Sequence, residues 1–406
     1  MLHSAKNATG TPLVSVTWAV AALALLLLWQ FLTVHYNRSG EWTALFLTGQ
    51  DFPMPPELVA GTYRFPGAGY DGEMYRYVAH DLFMQRGYAL YIDGPAQRYH
   101  RILVPALAYL LVAGYQPWID ASYIAVVALF VFLGAYWLSR WAVLAGAHPA
   151  WALAFLLTPA TLISMDRMTV DVGLAAFTAA FALYYRTSAW LKLFLVLVLA
   201  CLVRETGLLL AGGACLFELL NRRFSRALLW AGATLPMFAW YLFIRGRFTE
   251  RTHYGAPRWF ANKFGPGLFY HMLQPPRYPL SPLLEAIARS GDVIALAGIL
   301  LASILAIVFF LRSRPKDALV ISGLLFAALV FALTSGKYWK DVNGYARVVA
   351  PLLILVALPS IAREPARAQP LSPRLVWLGL VPAIVVDLRL AMEFTQQIGG
   401  VLRGAL

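Results

Sequence analysis

The run Gly69-Tyr70-Asp71-Gly72-Glu73-Met74-Tyr75-Arg76-Tyr77 sets two carboxylates among aromatics, just past the first long apolar segment. In a chain built largely for lipid, ionisable groups are expensive and usually have a task. A carboxylate at the mouth of a membrane protein can take a proton from a hydroxyl, which makes group transfer the first chemistry to consider. Glu73, Arg76 and His80 recur at helical spacing, with Met74, Val78 and Leu82 on another face. That pattern predicts a short amphipathic helix at the membrane interface, headed by Asp71. Asp is also a favoured N-cap and Asp-Gly a common turn pair, so a structural role competes with a catalytic one at Asp71. Glu73 reads as a supporting residue, and Tyr70, Tyr75 and Tyr77 as its aromatic surroundings.

Four further clusters lie where polar chain meets apolar chain. Tyr99-His100-Arg101 immediately precedes an apolar run. His100 and Arg101 suit either a phosphate at headgroup depth or simple interfacial anchoring. In Asp166-Arg167-Met168-Thr169-Val170-Asp171, the first two residues can satisfy one another, while Asp171 lies deeper and can orient a hydroxyl or pair with Arg204. Arg204 and Glu205 sit mid-way along a 30-residue apolar run, either as an ion pair pinning a broken helix or as a substrate contact. The block Lys337-Tyr338-Trp339-Lys340-Asp341-Val342-Asn343-Gly344-Tyr345-Ala346-Arg347 combines cations and aromatics at the head of a late span. A lipid-linked phosphate suits it, with Arg347 as the strongest candidate and Tyr345 beside it.

Other chemistries find little support. The histidines are scattered, with no His-Glu-x-x-His and no paired Cys or His at metal-ligand spacing, so no metal is expected. Neither a Gly-x-Ser-x-Gly elbow nor a phosphate-binding glycine loop before a lysine occurs. Cys201 and Cys215 both lie in apolar segments and read as small buried hydrophobes.

The elements that must hold these residues are membrane helices. Of 406 residues, 60% are hydrophobic and 13% charged, with a mean hydropathy of +0.64, far from a soluble domain. The formal charge of +13 is spread over short clusters between apolar runs, which is the pattern of helix connectors facing anionic lipid and not of a nucleic-acid surface. We expect an all-α polytopic membrane protein of ten to twelve spans in a single integral-membrane domain, 1–406. A first span covers 16–34, with residues 1–12 inside. A first extracytoplasmic loop follows at 35–101, then central spans over 102–244, a second outer loop at 245–292 and C-terminal spans over 293–406. Basic connectors at 221–226, 312–316 and 363–374 belong inside, which places 335–346 outside. The segment 102–117 is short enough to be re-entrant. The second loop is rich in arginine and lysine (Arg245, Arg247, Arg251, Arg258, Lys263, Arg277 and Arg289 against Glu250 and Glu285), which hints at an anionic ligand.

A first span, an outer loop with an early Asp among aromatics, and many short spans together resemble the GT-C superfamily of integral-membrane glycosyltransferases. The nearest likeness is to the branch containing the glycosylphosphatidylinositol mannosyltransferases and their bacterial relatives. Tyr70-Asp71-Gly72-Glu73-Met74-Tyr75 resembles that branch's first-loop segment. Arg204-Glu205-Thr206-Gly207-Leu208 is similar to its Arg-x-x-Gly-Leu, and Arg347-Val348-Val349-Ala350-Pro351 to its Arg-aromatic-x-x-Pro, with Val348 in place of the aromatic. The resemblance implies an inverting transfer of one sugar, mannose or another hexose or pentose, from a polyprenyl-phosphate donor. The hydroxyl acceptor would be a lipid or glycan on the outer face of a bacterial-type inner membrane, with neither nucleotide nor metal. It implies Asp71 as general base and Arg347, with Arg101, as holders of the donor phosphate. Two rivals are an O-antigen ligase or polymerase type, acting on a polyprenyl-diphosphate glycan, and a non-enzymatic transporter or flippase.

Overall fold

The computed structural model describes residues 12–248, 266–313, 317–362 and 377–405. It is an all-α multi-pass membrane architecture, whose one described strand pairing is a two-residue parallel bridge, Thr48–Gly49 with Arg64–Phe65. Five described helices are long and apolar enough to cross a membrane. They are α1 (Pro12–Asn37) and the segments Gln116–Leu144, Phe224–Arg247, Pro282–Arg312 and Val342–Ile361. The pair Pro149–Leu157 and Pro159–Arg167, bent by 60°, makes a sixth if it is one span.

These five or six long spans are fewer than the ten to twelve expected, and other apolar runs fold as short or broken helices, two of which the sequence already marks, the re-entrant 102–117 and the charged break at Arg204. The 102–117 run holds α4 (Leu103–Leu111), nine residues or about 13 Å long, which turns back against the next helix. The 190–220 run divides into Trp190–Val203 and Leu208–Leu220, with extended backbone at Arg204 and one 3₁₀ turn between them. A helix already begins at Pro282, inside the stretch assigned to the second loop, and at 31 residues it is longer than one bilayer crossing needs. Asp292, inside that helix, is neutralised by Arg389 at 2.7 Å, so the charge does not end the element. Of the basic residues assigned to that loop, Arg251, Arg258 and Lys263, like Glu250, the N-terminal residues 1–11 and most of the 312–316 and 363–374 connectors, lie outside the described residues.

Around the site the remaining helices run α2 (Asp71–His80), α3 (Pro95–His100), α5 (Ile119–Leu144), α6 (Pro159–Arg167), α7 (Asp171–Arg186), α8 (Trp190–Val203) and α9 (Leu208–Leu220). After them come α10 (Phe224–Gly232), α11 (Leu235–Arg247), α12 (Pro266–Leu273), α13 (Pro282–Arg312), α14 (Ala318–Ala332), α15 (Gly336–Trp339), α16 (Val342–Ile361) and a C-terminal helix, Val381–Ala405. Helix α16 is the central post, against α6, α7, α13 and α14, and every residue from Tyr345 to Val356 is buried. A helix apolar on all sides belongs in the middle of a bundle. Helix α1 differs: it buries Ala19, Ala22 and Leu26 and exposes Leu25, Leu28 and Phe31, as a lipid-facing helix does.

The first loop is a folded cap with its own apolar cluster, in which Met74, Tyr77, Val78, Tyr88 and Tyr99 pack with Ile244 of α11. Helix α2 is therefore not an interfacial helix with one wet face. Residues 72–80 are all buried between cap and bundle. Its polar face is satisfied internally, by a residue at the head of α5. Arg76 reaches Asp120 at 2.8 and 2.7 Å, and His80 bridges Asp120 at 3.0 Å and Gln116 at 2.9 Å.

Candidate functional site

Asp71 opens α2, one position after the N-cap Tyr70, whose side chain makes no capping bond. A carboxylate in the first turn suits the helix dipole. Its oxygens are nevertheless spent elsewhere, which sets aside the N-cap reading. Oδ1 accepts from Arg98 Nη2 at 2.8 Å, and Oδ2 is in direct contact with Arg347 Nη2, 276 residues further along the chain. Close packing fixes this meeting: a β-carbon added at Gly72 would fall 2.0 Å from the carbonyl oxygen of Arg167, so only glycine lets α2 approach the end of α6.

Arg347 lies on the second turn of α16. The helix starts at Val342, earlier than the span boundary expected at Arg347, because Asp341 caps it by accepting from the Asn343 N–H at 3.1 Å. From there Arg347 joins two carboxylates, Asp71 and, at 3.4 Å, Asp171. Asp171 heads α7 and also contacts Arg204. Arg204 in turn donates to the Tyr338 hydroxyl at 3.1 Å. Arg204 and Glu205 do not pair with one another. Glu205 holds Arg101 in a two-pronged contact at 2.9 and 2.5 Å. The break between α8 and α9 is thus pinned to the first loop, and its two charges serve different partners.

These residues surround a cavity of about 230 Å³ lined by Asp71, Arg98, Arg101, Arg204, Tyr338 and Arg347, with Tyr70, Gln97, Asp341 and Gly344 completing the wall. Four guanidiniums converge on it. Arg204 and Arg347 each keep a buried Nε without a hydrogen-bond partner, an unmet donor capacity in an already cationic space. Burial opposes ionisation of the Asp71 carboxyl, but Arg347 and Arg98 outweigh it and hold the group well below the ordinary carboxylate range. The Tyr75 phenol accepts from Arg101 at 2.8 Å and Arg98 at 3.4 Å. Its burial is likewise overcome by Arg101 and Arg98, and its pKa is lowered.

Of the candidate residues singled out in the sequence, Asp71, Arg101, Arg204 and Arg347 line this cavity, and Glu73, Tyr75, His100, Asp166, Arg167, Asp171, Glu205 and Tyr345 do not. Glu73 turns the other way, accepting from the Tyr77 hydroxyl at 2.6 Å and the Gly49 N–H at 3.0 Å, so it ties α2 to the first loop. Tyr75 and Asp171 stand behind the arginines and position them. His100 stacks on Tyr241 with ring centres 3.6 Å apart, and burial lowers its pKa to about 4. Tyr345 is buried, its ring 5.8 Å from that of Trp339. Asp166 and Arg167 approach at 3.7 Å, but Asp166 accepts more closely from Gln397, at 2.9 Å.

Arg98 is the main residue the sequence reading passed over. It stands three positions before Arg101, a spacing that sets two cations on one side of a turn. Tyr338 and Asp341 were inside the cationic block but carried no assignment. Among the described residues no group of three or more His, Cys, Asp or Glu side chains is placed to hold a metal ion. What the cavity can do follows from its donors: bind a phosphate with several guanidiniums while presenting one carboxylate to a neighbouring hydroxyl. No protein-family model, no curated protein and no solved structure matches this chain.

Proposed function

We propose that this protein is an inverting glycosyltransferase of the bacterial-type inner membrane, working on its outer face with a polyprenyl-phosphate sugar as donor. The observation that carries the reading is the convergence of Asp71 and four arginines, drawn from the first loop, the α8–α9 break and α16, on one cavity. The acceptor hydroxyl attacks the anomeric carbon, its proton passes to Asp71, and the sugar–phosphate bond breaks with its electron pair leaving on the phosphate. Arg347 and Arg98, with Arg101 and Arg204, stabilise that charge where it develops.

The depressed pKa of Asp71 makes it a poor base while both arginines hold it. An arriving phosphate competes for those guanidiniums and restores basicity to the carboxylate as the donor seats. A cavity of about 230 Å³ is below the ~300–1,000 Å³ of common ligand clefts, which favours one sugar-phosphate head over a long diphosphate-linked glycan.

The test uses purified protein in lipid nanodiscs with a radiolabelled polyprenyl-phosphate hexose and a membrane glycan extract. Asp71→Asn is expected to lower transfer by about 10²–10⁴-fold while donor binding persists. Wild-type transfer rates in a folded Asp71→Asn protein would falsify the role of the base. Product formed only from the diphosphate-linked donor would indicate the ligase-type rival. Movement of donor across sealed vesicles with no covalent product would indicate a transporter.

A further inference from the structure

A second cavity, of about 1150 Å³, opens next to the first. Its walls include Asn37 and Arg38 at the end of α1, Asp166 at the end of α6, and Gln397, Gly399 and Arg403 of the C-terminal helix. The two spaces share a boundary. Arg167 lines the larger one and lies 4.8 Å from the centre of the Tyr70 ring, which lines the smaller.

Three features describe what the larger space would hold. Gln397 donates to Asp166 at 2.9 Å, leaving its own carbonyl Oε1 buried without a hydrogen-bond partner. A buried acceptor with no donor is costly, so this amide gains by turning toward a ligand hydroxyl in the cavity. Arg38 rests over the Phe65 ring at 4.4 Å and Arg403 donates to its own helix at Gly399 O. Neither forms an ion pair among the described residues, and the two carboxylates of the lining, Asp166 and Glu393, are engaged by Gln397 and Arg389. At Gly399 an added β-carbon meets nothing within 4 Å, leaving bare helix backbone open to the cavity.

We propose that this cavity binds the acceptor as an anionic carbohydrate. Its hydroxyls would meet Gln397 Oε1 and Asp166, and its phosphate or carboxylate would meet Arg38 and Arg403. The assignment rests on the glycosyltransferase reading in one respect only, that the ligand is the acceptor. The attacking hydroxyl then reaches Asp71 past the edge of Tyr70, and its proton passes to Asp71 as the sugar bond forms. Lining chemistry sets the ligand class independently of that step.

Titration of the full chain in nanodiscs with a hexose 6-phosphate tests it, beside separate arms with inorganic phosphate and with a neutral methyl hexoside. Wild-type protein is expected to bind the sugar phosphate at least tenfold more tightly than either fragment. Gly399→Trp, which fills the open backbone face, and Arg403→Gln, at an exposed position, are each expected to weaken it tenfold or more. Binding of polyprenyl phosphate should stay at the wild-type level in both variants. Equal binding of sugar phosphate by wild type and variants, no preference over the fragments, or displacement of the sugar phosphate by polyprenyl phosphate would each overturn the proposal. If wild-type protein fails to bind polyprenyl phosphate while the variants still lose the sugar phosphate, the donor reading fails and this cavity's assignment as an anionic-carbohydrate site stands.

Discussion

Arg347 is where the site is most sensitive to chemistry at a single residue. Its planar fork touches Asp71 with one nitrogen and Asp171 with the other, a bridge that a lysine ammonium cannot span. Arg347→Lys is therefore expected to raise the donor KM about tenfold or more with a smaller change in kcat, read from initial rates at varied donor. Asp71 also carries a pH signature. Its unfolded carboxyl titrates near 3.8 and its folded one well below, so its contribution to stability is complete above about 3.8 and is lost as pH falls through the folded value. Thermal melts of Asp71→Asn should show a flatter acid limb below pH 4 than those of wild type. His100 acts in a different window. Folded His100 stays neutral down to about 4 whereas its unfolded imidazole protonates near 6.5, so stability falls as pH drops between those values. His100→Phe, which keeps a ring against Tyr241, should flatten the melting temperature between pH 6.5 and 4.

At the scale of elements, the first loop is held to the bundle by α2, and two positions report how. Gly72→Ala forces a β-carbon against backbone at the end of α6, where no flexible side chain can yield. Overpacking of this kind costs about 1–3 kcal/mol, and it also moves Asp71 relative to Arg347, so a lowered melting temperature and lost donor binding should appear together. Asp120 secures the other face of α2. Asp120→Asn leaves the buried Arg76 without its carboxylate, which costs about 3 kcal/mol. Arg76→Met in the same chain removes the stranded charge and should recover part of the loss in denaturation assays. Asp120 drew no attention in the sequence because it reads as the polar start of a span. Only the fold shows that it answers Arg76 and His80 from 40 and more residues away. Arg98 was hidden for a related reason, since a cation in an already polar loop does not break any pattern.

Considered as a whole molecule, the chain gathers its scattered polar breaks at one end of the bundle. Arg101, Arg204 and Arg347 were legible because each interrupts or borders an apolar run, where charge is costly, and Asp71 because it heads a helix-spaced segment among aromatics. The number of spans was less legible: the break at Arg204 is marked by its charge, but hydropathy measures apolar length and does not register the one at Thr158. Helix α16 runs 20 residues, about 30 Å, from this end to the other, where Gly379 packs on Val356, and the C-terminal helix returns to meet Asn37. A protein with Cys201 and Cys215 replaced by Ala should therefore present Gln97→Cys and Arg403→Cys to a membrane-impermeant maleimide from one side of sealed vesicles, and Trp377→Cys from the other. Labelling of all three from one side would contradict the arrangement.

The pairing of every cavity arginine with a resident carboxylate has a consequence for turnover. A polyprenyl-phosphate sugar carries one negative charge, whereas the spent carrier, a phosphate monoester, carries about −1.5 to −2 near pH 7 and holds arginines more strongly. Asp71, Asp171 and Glu205 remain tethered within reach of the same guanidiniums. Under the proposed function they are permanent competitors at high local concentration, which weakens the hold of the spent phosphate and shortens its stay. On that reading the resting ion pairs reset the proposed cycle.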